Sequence, residues 1–285
     1  LGGCVDVCGW LTPPMRGRER RSARRDGCGV DVNSFELIQE KMVQARVDSY
    51  VASAMTAFTA GMVEDNPQAR IAIESSHCKL FGTTRAWNTI YDALQVAGGS
   101  GYLATQPYEK RSRESRVTTI FEGTTEIHSI YPPLFVLRNL NKHMKAVHPS
   151  STSKLVFLLK GLFGKADWKL RFHQRVMNRA ARLAKANGRS VRWLLHAGLL
   201  IYGKKIQHKQ FFLRRITNLS LHLYGLIAVL AKIDARKKMG RDVTEDLRIL
   251  SYFLEVARQS RKSDKHLFGS RKEALHKNVV KGIIS

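Results

Sequence analysis

From Asn33 onward the apolar positions recur at helical spacing. Val47, Val51, Met55, Phe58 and Met62 fall on one stripe, the mark of an amphipathic helix. Asn33 and Glu36 predict a capping-box start for it. Asn66-Pro67 predicts the start of a second helix, with the cap followed by proline at the first position. Leu80, Trp87, Ile90 and Leu94 carry that pattern to Gly98-Gly99, where glycine permits a left-handed stop. Gly98 to Tyr108 reads as a loop by composition. A further helical stretch follows Gly123 and is expected to break at Pro132-Pro133, because proline removes a donor and clashes with the preceding turn.

After a polar seam from His148 to Ser153, Ile206, Leu213, Ile216, Leu223, Ile227, Leu230 and Ile233 form a long helical stripe. Leu247, Leu250, Leu254 and Ala257 predict a last helix opened near Asp242 or Thr244. No stretch alternates with period two, and no internal repeat is present. The pattern predicts an all-α protein with two helical units joined near residues 141–153. Residues 1–31, which combine Pro-Pro, glycines and an arginine run, show no sustained period and read as irregular.

The apolar fraction of 44% over 285 residues excludes wholesale disorder and permits a sizeable core. The longest apolar runs, Trp193–Gly203 and Leu223–Ala231, fall short of the roughly 18 residues expected of a membrane span. No basic start with an apolar core marks a signal peptide. The arginine run is interrupted by Glu19, so it makes a poor transit peptide. Four cysteines are too few for a disulfide scaffold, and Cys4 and Cys8 lack third and fourth ligands, so no metal site is expected. His77-Cys78 reads as helix-face packing. The net charge of +25 is uneven: residues 1–150 carry 18 basic and 15 acidic side chains, and residues 151–285 carry 30 and 8. Such a field favours anionic partners. Without a reader motif, nucleic acid is disfavoured, and an anionic membrane surface fits better. Leu155 to Phe163, followed by Trp168-Lys169, has the apolar-plus-basic character of an interfacial helix.

The stretch with chemistry is Gln95 to Ile127. It contains Gln95-Val96-Ala97-Gly98-Gly99-Ser100-Gly101-Tyr102, then Pro107-Tyr108-Glu109-Lys110 with Arg113-Glu114, then Phe121-Glu122-Gly123-Thr124-Thr125-Glu126. The glycine pair lets backbone approach a bulky ligand. Glu122, ahead of a turn into a helix, is placed either to act as a base or merely to complement a helix N-terminus. In a dry pocket its pKa would rise, which suits proton abstraction near neutrality. These three motifs at fixed separations resemble the C-terminal domain of acyl-CoA dehydrogenases. Lys209 to Arg215 with Leu223-Tyr224-Gly225 resembles the additional helical domain of the very-long-chain members.

The resemblance implies an all-α fold: an acyl-CoA dehydrogenase C-terminal bundle, incomplete at its N-terminus, over 32–140, and a basic helical extension over 141–285. It implies FAD as cofactor and a fatty acyl-CoA as substrate, desaturated to the trans-2-enoyl-CoA in β-oxidation. Glu122 would be the catalytic base and Gly123 would lie against substrate. Gln95, Val96, Ala97, Gly98 and Gly99 would contact FAD of a neighbouring subunit, and Thr124, Thr125 and Glu126 the flavin held with Glu122. An upstream FAD-contact pattern matches only at Arg25, Gly29 and Phe35. Glu109 and Arg113 would form a structural ion pair. Electron-transfer flavoprotein and a second copy of the chain are the implied partners. The implied location is the mitochondrial inner membrane in a eukaryote, or the cytoplasm or inner-membrane periphery in a bacterium. The family's N-terminal helical and middle β-domains do not match any part of the sequence. The chain is therefore expected to be a C-terminal portion, inactive by itself, the alternative being a non-catalytic helical membrane or assembly module.

Overall fold

The computed structural model describes residues 26–27, 30–148, 150–163, 170–264 and 268–284. Apart from a two-residue antiparallel pair, β1 (Asp26–Gly27) with β2 (Val30–Asp31), the described residues are helical or connecting. The helices are α1 (Glu36–Asp65), α2 (Ala72–Ala97), α3 (Gly99–Tyr102), α4 (Pro107–Thr118), α5 (Thr125–Val147), α6 (Ser151–Phe163), α7 (Arg175–Tyr202), α8 (Gln210–Lys238), α9 (Thr244–Ser263) and α10 (Arg271–Ile284). The all-α expectation holds.

Several local expectations are corrected. Asn33 lies in a 3-10 turn, Val32–Ser34, and Phe35 flanks α1 without a side-chain cap. Asn66 ends α1 instead of opening α2, and its side chain accepts from the Gln68 N–H at 3.1 Å. An asparagine can close a turn on the residue two ahead as readily as it can cap a helix. The Gly98–Tyr108 segment is not all loop, because Gly99–Tyr102 forms a helical turn and Pro107 opens α4. Pro132 and Pro133 do not break α5; both lie buried within it. Tertiary burial of the two rings offsets the lost backbone bonds. The long stripe from Ile206 starts as a separate 3-10 turn, Gly203–His208, before α8. α4, the first half of α7, and α10 have no counterpart in the apolar pattern. On α7 the buried side runs from Met177, Ala180, Ala181 and Ala184 to Leu194 and Leu195; alanines carry its first half, and its second half falls in the Trp193–Gly203 run. The expected start of α9 is present: the Asp242 carboxylate accepts from the Thr244 N–H at 3.0 Å and hydroxyl at 2.7 Å.

By packing, the chain divides into two compact units that are not consecutive in sequence. Of the described residues, one unit comprises those up to His128 with Tyr224–Phe253, and the other those between Ser129 and Leu223 with those from Leu254 onward. The first unit buries Val47, Val51 and Met55 of α1 with Phe81 and Ile90 of α2, Leu226 and Ile233 of α8, and Leu250 and Phe253 of α9. Phe81 meets Phe253 edge-on at 6.3 Å. The Thr59 hydroxyl lies 2.6 Å from the Tyr224 hydroxyl and 3.2 Å from the Cys78 sulfur. His77 and Cys78 are both buried, in keeping with a packing role.

The second unit is built around Leu137 of α5, Leu194 and Leu195 of α7, Ile206, and Phe212, Leu213, Ile216 and Leu219 of α8. Gly161 of α6 packs directly on the His196 ring; a Cβ there would clash with ring carbon Cδ2. Among the described residues α8 is long and apolar enough to cross a membrane, which the run lengths do not suggest, but 56% of its apolar window is buried inside the protein. Those apolar residues serve the cores.

Candidate active site

The turn between α4 and α5 carries Glu122. Its φ is +54° and that of Gly123 is +98°. The left-handed region disfavours side chains with a Cβ by roughly 1–2 kcal/mol, so a glutamate there needs outside support. A lysine of α2 and a histidine of α5 supply it. The Lys79 ammonium donates to the Phe121 carbonyl and, at 2.9 Å, to the Gly123 carbonyl. It also lies 5.2 Å from the Phe121 ring centre. His128, in the first turn of α5, places Nε2 3.1 Å from the Glu122 carbonyl and Nδ1 2.8 Å from the Ser76 hydroxyl. A carbonyl only accepts, so Nε2 carries the proton and Nδ1 accepts from Ser76. Gly123 is required twice over: by its φ, and because a Cβ would lie 2.9 Å from His128 Nε2.

The α5 start is capped by Thr124. The Ile127 N–H donates to the Thr124 hydroxyl at 3.4 Å. Thr125 donates through its N–H to the Thr119 carbonyl at 3.1 Å. The exposed Glu126 carboxyl is held below its usual pKa by its own amide N–H and by the Thr124 hydroxyl. Negative charge at a helix start is also favoured by the helix dipole. Glu122 itself is exposed on this chain; the dry pocket expected for it is not formed by its neighbours here.

Gln95 to Gly99 form the C-terminal corner of α2. Val96 and Ala97 are buried at 6% and 1% exposure, whereas Gln95 and Gly99 are exposed. Gly98 turns the chain with φ +60°. A Cβ on Gly99 would meet nothing within 4 Å. The chain's own packing therefore does not demand glycine at 99, and open backbone with an exposed amide side chain fits a flat ligand arriving from outside. Lys79 and Gln95 are sixteen residues apart on one helix, about 24 Å at 1.5 Å per residue. The Glu122 turn and the Gln95–Gly99 corner thus lie toward opposite ends of α2 and are not brought together within one chain. Phe35 is 42% exposed at the start of α1. Arg25, Gly29, Cys4, Cys8 and Cys28 lie outside the described residues. Glu109 and Arg113 pair at 3.0 Å on the exposed face of α4, where such a pair contributes little stability.

Ser76, Lys79 and His128 do not stand out in the sequence. Their signal is weak but present: Ser76 and Lys79 are three apart, hence on one face of α2, and His128 follows the glutamate motif by six residues.

His128 is half-buried, and its pKa is lowered, chiefly by burial and also by Lys79, against an opposing pull from the Glu122 carbonyl. A depressed histidine binds fewer protons folded than unfolded, so stability rises with pH across the interval between the two values. The turn is expected to lose amide-exchange protection as pH falls below about 6.5, the ordinary histidine value. His128→Gln should flatten that profile. An unchanged profile in the variant would remove His128 as the cause.

The helical architecture and the glutamate-bearing turn define an all-α domain of the acyl-CoA dehydrogenase C-terminal kind. Residues 19–130 match the family model for the acyl-CoA dehydrogenase C-terminal domain. The chain is an acyl-CoA dehydrogenase-like family member carrying that domain. It is 26% identical to bovine mitochondrial very long-chain specific acyl-CoA dehydrogenase over 259 residues, covering 85% of this chain and 39% of the relative. The pig short-chain specific enzyme is 31% identical over 106 residues, covering 37% of this chain and 25% of that one. An acyl-CoA dehydrogenase from Bacillus anthracis, solved in complex with FAD, superposes with a TM-score of 0.74 at 25% identity over 92% of this chain and 46% of that chain. Arabidopsis thaliana acyl-CoA oxidase 1 shares the fold, with a TM-score of 0.65 at 14% identity over 96% of this chain and 45% of that one. The chain thus spans less than half the length of these relatives.

Proposed function

We propose that this chain supplies the catalytic base and one face of the flavin site of an FAD-dependent acyl-CoA dehydrogenase acting on long-chain fatty acyl-CoA. The observation that carries the reading is the left-handed Glu122 turn, held by Lys79 and His128 through backbone carbonyls so that the carboxylate stays uncommitted. Strain kept at one acidic residue is a pointer to function. Glu122 takes the α-proton of the thioester, and Gly123, with no side chain, lets the substrate approach. When bound, FAD accepts the β-hydride, and the product is the trans-2-enoyl-CoA. Gln95 and Gly99 offer an exposed amide and exposed backbone to the cofactor beside the Gly98 turn, while Val96 and Ala97 anchor that corner. The first turn of α5, from Thr124 to Glu126, presents amides toward the flavin beside Glu122.

The separation of about 24 Å along α2 supports a homo-oligomer in which the corner of one copy completes the flavin site of another. Burial of Glu122 then comes from substrate, cofactor and the family's remaining domains, without which this chain does not turn over. Electrons leave to an electron-transfer flavoprotein. The long-chain preference is supported by the extent of the matches: the very-long-chain relative aligns over 85% of this chain and the short-chain relative over 37%. The mitochondrial description of those relatives favours that compartment.

The test is anaerobic mixing of the protein, FAD and palmitoyl-CoA, with visible flavin absorbance as the readout. Stoichiometric bleaching, faster than with butyryl-CoA, is expected once the family's other domains are supplied. Absence of bleaching in that complete assembly overturns the reading. A second reading, a membrane-associated helical module, is favoured by α6. Leu155, Val156, Leu159 and Phe163 on it are 49%, 48%, 41% and 83% exposed, beside exposed Lys160. Salt-sensitive sedimentation with anionic but not neutral vesicles, without bleaching, would put that reading first.

A further inference from the structure

The second unit holds a cavity that the proposed reaction does not use. The 3-10 turn before α8, the start of α8 and the start of α10 border a half-open cavity of about 560 Å³. Small-molecule sites typically occupy about 300–1,000 Å³. The wall is aromatic. Tyr202, Phe211, Phe212 and Phe268 line it. Phe212 and Phe268 are stacked with ring centres 5.6 Å apart and planes 21° from parallel, and Tyr202 meets Phe212 edge-on at 5.4 Å. These contacts hold the wall in place ahead of any ligand, which lowers the ordering cost of binding.

The polar groups are mainly cationic. Arg215 lines the cavity and is only 7% exposed. Its Nη2 donates to Glu273, while its buried Nη1 has no hydrogen-bond partner. A buried donor left unpaired is costly, and a charged one more so. Exposed His208, Lys209 and His276 also line the cavity. Gly269 and Ser270 bring the N-terminal end of α10 to the same space, with its partial positive charge. Glu273 is the only acid among the described lining residues, and it is already engaged by Arg215.

We propose that this cavity binds a small aromatic anion: a planar ring carrying a carboxylate or phosphate, with the ring on the Phe212–Phe268 wall and the charged oxygens on Arg215. A flexible aliphatic acid fills the same volume but forgoes the ring contacts that the wall is built to make. Guanidinium suits both head groups because its forked donors match carboxylate and phosphate geometry.

The test is titration calorimetry on the full 285-residue chain with 1-naphthoate, adenosine 5′-monophosphate and decanoate as probes. One of the two aromatic anions should bind one-to-one and decanoate should not compete; which aromatic anion binds identifies the head group. Arg215→Gln should weaken binding about tenfold, the loss of one charge-assisted bond. Glu273→Gln should tighten it by about threefold, because the competing acid is gone. If Arg215→Gln does not fold, the exposed pair Lys209→Gln with His276→Gln carries the test, with an expected loss of about threefold and a weaker salt dependence. Failure of both aromatic anions to bind, equal binding of decanoate, or an affinity indifferent to the charge substitutions overturns the proposal.

Discussion

In the assembly completed by the family's other domains, Glu122→Gln is expected to preserve the fold and flavin retention while slowing substrate-driven flavin bleaching by about 10²- to 10⁴-fold, the usual contribution of a general base. Glutamine matches glutamate in shape, and the contacts that hold the turn run through main-chain carbonyls of Phe121, Glu122 and Gly123. The carboxylate is exposed and takes no part in them. The substitution therefore removes a proton acceptor and leaves its scaffold. Glu122→Gly should separate function from stability further. It relieves the strain at φ +54° and should raise stability by up to about 1 kcal/mol, yet it should be as inactive as the glutamine variant. Bleaching at the wild-type rate in Glu122→Gln would end the assignment of this residue as the base. Loss of flavin binding in the same variant would instead make it a cofactor ligand.

Phe253→Ala should cost about 3–5 kcal/mol in the first unit, the range for truncating a buried phenylalanine. Phe253 is 1% exposed. It meets the Phe81 ring edge-on, and its Cζ lies 2.9 Å from where a Cβ on Gly225 would stand. Val51 is the next neighbour of that position, at 3.4 Å, so α1, α2, α8 and α9 all meet at this ring. Urea unfolding followed by fluorescence should show the loss as a lower midpoint with an unchanged slope. Gly225→Ala alone should also destabilise, by overpacking against Phe253. In the Phe253→Ala background the same alanine enters the space the ring has left, so the two losses should combine to less than their sum. Strict additivity would refute direct packing between the two positions.

Part of the proposed site is legible in the order of residues alone. Glu122-Gly123-Thr124-Thr125 stands out because a carboxylate, a glycine and two hydroxyl residues sit in consecutive positions, and the cap geometry of Thr124 follows from local chemistry. The residues that hold Glu122 in place are not legible there. Lys79 and Phe121 are 42 positions apart, and Ser76 and His128 are 52 apart. No period or spacing in one chain encodes which helix face meets which distant turn. The same limit explains Pro132-Pro133: a proline pair locally argues for a break, and only burial within the second unit shows why α5 continues through it.

The sequence by itself determined that the protein is helical, where most helices run, which family motifs it carries, and that its second half is strongly basic. These are properties of residue order, because helix periodicity, caps and motif spacing act over a few residues. The tertiary structure alone decided that Tyr224–Phe253 joins the first unit, that the Glu122 turn rests on Lys79 and His128, and that Arg215 faces an aromatic cavity. Each of these depends on side chains far apart in sequence finding complementary volume and charge, which packing settles and local pattern does not.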